Sequence, residues 1–376
     1  MSEKILMKGN EAIATAAVRC GCDGYFGYPI TPQSEILETL VEFNPETTNG
    51  MVVLQAESET AAINMLYGGA ACGKRVMTSS SSPGISLMTE GISYIAGAEL
   101  PCIIVNVMRG GPGLGTIQPG QADYFQTVKG GGHGDYRVIA LAPASVQEMN
   151  DFVELGFELA FKYRNPVMII TDGVIGQMME KVELSPVRPR LSEAEIAQYY
   201  GDWATTGKPP HRNRNVVTSL DLDPCKQEQF NIKLQTKYRT MEQTETRYEA
   251  YMCHDAEYLL VAYGLSARVC QKAVELARNA GLKVGLIRPI TLFPYPYEAI
   301  ERMLPQIKGI LAVEMSAGQM VEDVSIAVKG KAPIYFHGRT GGMLPSPEDV
   351  FKLVEHIACG TFDQAGVAGI NKLLIR

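Results

Sequence analysis

Short apolar or β-branched runs alternate with longer amphipathic stretches along residues 10–175. The runs at 24–27, 51–54, 75–78, 102–107, 138–141 and 167–171 have the length of buried strands. Helical stretches lie between them. One covers 10–20, and another opens at Thr31 as N-cap with Pro32 in its first turn. A third runs from Ser145, where Ser145-Val-Gln-Glu148 reads as a capping box, to about residue 163. This alternation predicts an α/β fold, a mostly parallel sheet covered by helices on both faces.

The rhythm stops at 186–250, where Pro, Arg, Gln and Thr dominate and apolar runs are few. That stretch reads as an inter-domain excursion, loosely packed or set against a partner. Alternation resumes at about 256 with strands at 258–262, 283–287, 310–314 and 333–336. Helices are expected at 267–280, closed by Gly281, at 296–304 and at 320–329. The resulting division is a first α/β domain at 1–185, an excursion at 186–250, a smaller α/β domain at 251–340 and a C-terminal tail at 341–376 that packs on one of them.

Composition narrows the class. With 46% hydrophobic and 20% charged residues the chain is ordinary globular protein, and 376 residues suffice for two full cores. A net charge of -7 argues against nucleic acid or an anionic membrane as main partner. No apolar run reaches the roughly 18–20 residues of a membrane span, and no signal peptide is visible, so a cytoplasmic location is expected. The eight cysteines are scattered, without a recurring CxxC, so neither a metal site nor an iron–sulfur cluster is expected on this chain.

Four segments could carry chemistry. Gln55-Ala-Glu-Ser-Glu-Thr-Ala-Ala62 places Glu57 and Glu59 at the mouth of a helix whose small and apolar residues predict deep burial. A buried carboxylate is costly, so one kept there usually has a use, although both could simply be first-turn acids complementing the helix dipole; Glu59 is the inward candidate and Glu57 the exposed one. Tyr28-Pro-Ile-Thr-Pro32 follows a strand and precedes a helix, where open parallel sheets collect ligands, although Thr31 could merely cap. Ser79 to Ser82, followed by Pro83 and Gly84, forms a hydroxyl-rich turn into a helix, either an anion cradle or a plain capped loop. Arg109 ends an apolar strand and opens a glycine-rich loop, as a carboxylate clamp or an ion-paired neighbour of a flexible loop. Within 108–135, Thr116, Gln118 and His133 are further candidates, His133 more in keeping with a solvated loop.

Together these segments resemble the α subunit of the 2-oxoacid:ferredoxin oxidoreductases, most nearly the VorB-like branch that takes branched-chain 2-oxoacids. Tyr28–Pro32, the Glu59 helix, residues 78–88, Val107-Met-Arg-Gly-Gly-Pro112 and Leu286-Ile-Arg-Pro-Ile-Thr-Leu-Phe-Pro294 match the family. Val313-Glu-Met-Ser-Ala-Gly-Gln-Met320 and Gly338-Arg-Thr-Gly-Gly342 match as well, so the likeness covers nearly the whole chain. It implies two thiamine-diphosphate-enzyme domains, one for the cofactor's aminopyrimidine and one like the transketolase C-terminal domain. It also implies that Glu59 meets ring nitrogen N1′, favouring the imino form of the 4′-amino group that takes the C2 proton. Pro29, Ile30, Ser82, Pro83 and Gly84 would line the cofactor, while Thr31 and Arg109 would face the substrate. Ser82 stands where many relatives have Gly.

The Gly-Asp-Gly motif with which thiamine enzymes hold Mg²⁺ and diphosphate does not occur here. The resemblance therefore puts that half on a β subunit and the [4Fe-4S] clusters on partner chains, with γ and ferredoxin-like δ subunits, CoA as co-substrate, ferredoxin as acceptor, and a dimer of heteromers. A 2-oxoglutarate pocket would need a second cation, and 108–135 offers only Lys129 and His133, which tilts the reading toward a branched-chain substrate such as 3-methyl-2-oxobutanoate. The alternatives are a 2-oxoglutarate enzyme, a transketolase-like or dehydrogenase component with a non-iron acceptor, and a non-catalytic scaffold.

Overall fold

The computed structural model describes residues 4–375. Strand β1 (Lys4–Lys8) leads into the helix Gly9–Arg19 and then into β2 (Gly24–Gly27), β3 (Val52–Gln55), β4 (Val76–Ser80), β5 (Cys102–Met108), β6 (Ile139–Leu141), β7 (Pro166–Asp172) and β8 (Met179–Glu183). The pairs among β2 to β7 are all parallel, and every residue of β5 and β7 is buried. Predominantly apolar sequence therefore becomes central strand, as burial on both faces requires. β1 and β8 form a separate antiparallel ribbon.

The second half contributes β9 (Tyr248–Tyr251), β10 (Tyr258–Val261), β11 (Val284–Pro289), β12 (Thr291–Phe293), β13 (Gly309–Glu314), β14 (Ile334–Gly338) and β15 (Ile370–Ile375). Six of these make a second sheet in the order β15-β14-β13-β10-β11-β9, with antiparallel strands at both edges. The seventh, β12, crosses to pair with β6, so the first sheet reads β12-β6-β7-β5-β4-β2-β3. Both units are α/β layers of mostly parallel sheet flanked by helices. No helix among the described residues is long and apolar enough to cross a membrane.

Several local expectations change. The second helix starts at Ser34, not Thr31, because the Thr31–Pro32 turn is held from outside: Asn10 donates to the Pro32 carbonyl at 2.8 Å, and Gln33 Nε2 donates to that of Tyr28 at 2.9 Å. Only half of the Ser145 box forms. Ser145 accepts from Glu148 N, but the Glu148 carboxylate reaches back to Ala144 N and forks onto Arg288. Residues 186–250 are not loose. They contain the helix Pro224–Thr244, which buries Leu234, Tyr238 and Met241 and sets Lys233 and Lys237 on buried Glu99. Residues 341–376 supply the helix Pro347–Ala358 and β15, which pairs with β14.

The two units are riveted by polar contacts as well as a shared apolar core. Gln121 is fully buried; its amide donates to the Tyr263 carbonyl at 2.9 Å and accepts from Ser266 Oγ at 2.7 Å and Met315 N at 2.9 Å. Its own N–H donates to the Met315 carbonyl at 2.8 Å. Asp323, also buried, accepts from Tyr124 and Tyr297 hydroxyls and from Lys129. Replacing Gln121 with Met keeps the volume but strands one donor hydroxyl, one N–H and one carbonyl in a dry interface. Each such group costs ~1–3 kcal/mol. The expected outcome is a loss of about 3 kcal/mol in urea unfolding of the full chain; a loss below about 1 kcal/mol contradicts the rivet.

Candidate active site

The candidate groups gather at the carboxyl ends of β2, β4 and β5, where an open parallel sheet leaves a crevice. β3 ends in Gln55, and Ser58 then caps the helix Glu59–Ala71 by accepting from Ala61 N. Glu59 is the first residue of that helix and only 6% exposed, whereas Glu57 is exposed. The helix is less deeply sunk than its composition predicts: Thr60, Asn64 and Gly68 face outward.

Seven carboxylates are buried among the described residues, and six are compensated. Asp23 meets Arg190, Glu99 meets two lysines, and Glu245 meets Lys162 and Arg247. Asp323 has its two tyrosines and Lys129. Asp172 accepts from Val174 N and Ile175 N, and Glu314 from Gln319, Met320 and Val321 N–H groups and from Ser316. Glu59 alone has no hydrogen-bond or ion partner among the described residues. Its position N-terminal on a helix gives it only the helix dipole.

What surrounds Glu59 is tight and polar. A Cβ on Gly84 would stand 2.6 Å from Glu59 Oε1 and would overlap Ser80 Oγ, so only glycine lets the helix Ser82–Gly97 come this close. Thr78 and Ser80 share one face of β4, and their hydroxyls, with that of Ser81, are buried without partners. Ser79 points the other way, into a chain in which Tyr25 bonds it at 2.6 Å and it donates to Gln33 at 2.6 Å.

The cation side is assembled by Arg109, which is 9% exposed. Its Nη1 donates to the Thr31 carbonyl at 3.0 Å and its Nη2 to the Leu114 carbonyl at 2.9 Å, while Nε is buried and unpartnered. The structure thus brings Thr31 and Arg109 together. It also makes Arg109 a brace for the glycine-rich loop, which a bridge from Arg109 to Pro119 closes. The loop is anchored at both ends, while 111–115, Ile117 and Gln118 are exposed. Two of five guanidinium donors are spent on backbone, so the remainder can still receive a carboxylate. Thr31 and Pro29 are exposed and Ile30 half-buried at the open side.

Thr116 and Gln118 sit on the same loop, with Gly342 of the second unit packed against both. His133 is not brought in. It is exposed, and its carbonyl merely accepts from Ser93 Oγ at 2.5 Å. Ser82 turns its hydroxyl to Asp123 at 2.6 Å. Asp123 and Asn106 were not singled out from sequence, although a lone Asn inside Cys-Ile-Ile-Val-Asn-Val-Met was a usable signal, since a buried amide must be paired. A cavity of about 770 Å³ lies elsewhere, lined by Lys129, Arg137, Phe293 and Tyr295 among others, and contains none of Thr31, Glu59 or Arg109.

Comparisons with known proteins identify the family and the fold. The family described as pyruvate flavodoxin/ferredoxin oxidoreductase, thiamine diphosphate-binding, matches residues 15–256, and pyruvate:ferredoxin oxidoreductase core domain II matches 256–350. A ketoisovalerate oxidoreductase subunit VorB from Methanothermobacter marburgensis is 52% identical, over 94% of this chain and 97% of its own. A 2-oxoglutarate synthase subunit KorA from Archaeoglobus fulgidus is 35% identical, over 94% of this chain and 99% of its own. Among solved structures, a 2-oxoglutarate:ferredoxin oxidoreductase from Magnetococcus marinus superposes with a TM-score of 0.81 at 24% identity, over 95% of this chain. This chain spans 65% of that one's length. A split-gene transketolase superposes at 0.57 and 13% identity, over 96% of this chain and 99% of that one. The fold is therefore that of the thiamine enzymes. The chain belongs to the 2-oxoacid:ferredoxin oxidoreductase family.

Behind the site, Asp172 closes β7 beside the Thr31–Pro32 turn, where Gly173 abuts Pro32. Burial pushes its carboxyl from 3.8 up to about 6, against the three backbone N–H groups, of Ile175, Val174 and Leu265, that lower it. A folded-state value above the unfolded one means the native protein binds the proton more tightly. Asp172 thus favours folding below about pH 4, and that contribution fades as pH rises through about 6. Asp172→Asn keeps an acceptor for Val174 and Ile175. Its expected signature is a gain of up to ~2 kcal/mol over wild type at pH 7.5 that vanishes near pH 4. Denaturant midpoints at the two pH values check this, and an equal difference at both refutes it.

Proposed function

We propose that this chain is the α subunit of a thiamine diphosphate- and CoA-dependent 2-oxoacid:ferredoxin oxidoreductase acting on a branched-chain 2-oxoacid such as 3-methyl-2-oxobutanoate. In that reaction a 2-oxoacid, CoA and two oxidised ferredoxins give acyl-CoA, CO₂, two reduced ferredoxins and a proton. The observation that carries the reading is Glu59, the buried acid that the chain leaves uncompensated.

The residues present fit the cofactor's aminopyrimidine. A flat ring with both donors and acceptors suits an unpaired carboxylate that shares the Gly84 cradle with the partnerless hydroxyl of Ser80. Gly84 lets the backbone of its helix come up against Glu59 and Ser80, and Pro83 and Ile30 are the residues assigned to pack on the ring. Bound there, thiamine diphosphate supplies the nucleophile and electron sink needed to release CO₂ from a 2-oxoacid. Glu59 holds the ring nitrogen through a hydrogen bond that is strong because water is excluded. Arg109 grips the substrate carboxylate with the donors it does not spend on Thr31 and Leu114, fixing the 2-oxo carbon. Thr31 presents its hydroxyl beside it.

Several features support the finer assignments. The identity to ketoisovalerate oxidoreductase subunits, 50–52%, exceeds the 32–35% to 2-oxoglutarate synthase subunits over comparable lengths. The second cation that a dicarboxylate needs is not on offer, because Lys129 is committed to Asp323 and His133 is exposed. Without a Gly-Asp-Gly motif, the Mg²⁺–diphosphate half belongs to a β subunit and the iron–sulfur clusters to further chains. Residues 1–185 then carry the aminopyrimidine half, 251–340 the transketolase-like half, and the assembly is cytoplasmic.

The test is the reconstituted complex, assayed for CoA-dependent viologen reduction across a panel of 2-oxoacids. Branched-chain substrates are expected to give the highest kcat/KM; a preference for 2-oxoglutarate overturns the substrate assignment. Glu59→Gln should lower turnover at least ~100-fold while the complex still assembles. Turnover within about threefold of wild type removes Glu59 from its role.

A further inference from the structure

Between the acid side and the cation side of the site lies a closed ring of hydrogen bonds that the proposed chemistry does not use. Arg109 N donates to Ser82 Oγ at 3.1 Å, and Ser82 Oγ donates to Asp123 Oδ2 at 2.6 Å. Asn106 Nδ2 donates to the same oxygen at 2.9 Å, while Asn106 Oδ1 accepts from Ser82 N at 3.1 Å. Asn106 is fully buried in β5. Asp123 has no cation partner among the described residues, and burial pushes its acid group up against the Ser82 and Asn106 donors that lower it.

The ring joins three elements. Ser82 opens the helix that carries Gly84 against Glu59, Arg109 directly follows β5, and Asp123 lies two residues beyond the Gln121 rivet. A hydroxyl that accepts from one backbone and donates to one carboxylate has both its functions engaged, so Ser82 is unavailable to a ligand as donor. We infer that Ser82 and Asp123 are a positioning pair that sets the Arg109 backbone relative to the Gly84–Glu59 cradle, and so the seat of the substrate carboxylate. This rests on the reading of Arg109 given above. A shift of about 1 Å in a gripping group is enough to cost ~10²-fold.

The experiment compares Ser82→Ala, Ser82→Thr, Asp123→Ala and the double variant Ser82→Ala/Asp123→Ala in the reconstituted complex. Ser82→Ala is expected to raise KM for the 2-oxoacid about tenfold with kcat within about threefold, the pattern of lost carboxylate binding. Thiamine diphosphate affinity and assembly stay unchanged. Ser82→Thr, which keeps the hydroxyl, restores KM to within about threefold. Asp123→Ala mimics Ser82→Ala, and the double variant is no worse than either single one. An unchanged KM in Ser82→Ala, or a Thr variant as impaired as the Ala variant, overturns the inference. If the wild-type complex turns over no 2-oxoacid, the functional reading is what fails. The pair is then judged on urea unfolding of the full chain, where strictly additive effects of the two substitutions overturn it.

Discussion

The segment following β5 has to satisfy buried polar groups on both sides at once, and the rest of the structure is arranged around that constraint. Gln121 shares its amide with Tyr263, Ser266 and Met315, and a few residues away Tyr124 reaches Asp323. An interface of apolar side chains alone would tolerate small slides, whereas one built on a buried amide with three partners has a single register. Because Gly342 packs on Thr116 and Gln118, that register also fixes the wall of the loop braced by Arg109. β12 adds to the same effect, pairing with β6 although it belongs in sequence to the second unit.

Electrostatics then separates structure from function. Glu314 and Asp172 are pushed up by burial yet answered by backbone N–H groups at helix starts, a way of ending a strand and beginning a helix. Glu99 and Glu245 are answered by lysine and arginine and tie the Pro224–Thr244 helix and its exit to the first unit. These acids are costs that the chain settles internally. Glu59 is a cost left open, and the Ser80 hydroxyl that meets it at Gly84 is equally unsatisfied. Natural cores do not accumulate such debts in one place without a ligand to meet them.

Much of this was legible in the sequence for definite reasons. β5 and β7 announce themselves because central parallel strands are predominantly apolar, and Glu59 because an acid heading an Ala-rich helix is expected to be buried, where the helix dipole is its only local compensation. The misread places share one cause, a long-range polar contact overriding a local signal. Thr31 looked like a cap, but Asn10, Gln33 and Arg109 seize the turn. Glu148 looked like the second half of a capping box, but Arg288 takes it. The Pro224–Thr244 helix is polar over most of its surface and buries only Leu234, Tyr238 and Met241, so no hydrophobic stripe betrayed that it packs.

The same logic bears on why this site belongs to a chain that works in company. A carboxylate is most effective on a ring nitrogen when the surrounding dielectric is low, and Glu59, itself only 6% exposed, heads the helix that follows the edge strand β3, on the side of the crevice where Thr31 and Pro29 are exposed. Thr60, Asn64 and Gly68 on its own helix, and Val52 and Leu54 on β3, also face outward. A chain that meant to use Glu59 alone would need a lid of its own over that side, and the elements that could have furnished one are spent elsewhere: the glycine-rich loop is braced by Arg109, and the Pro224–Thr244 helix is committed to Glu99. Under the proposed function, exclusion of water from Glu59 falls to the neighbouring polypeptide that also brings the diphosphate. Cofactor binding and subunit assembly then become one thermodynamic event, each stabilising the other by the affinity the second ligand adds.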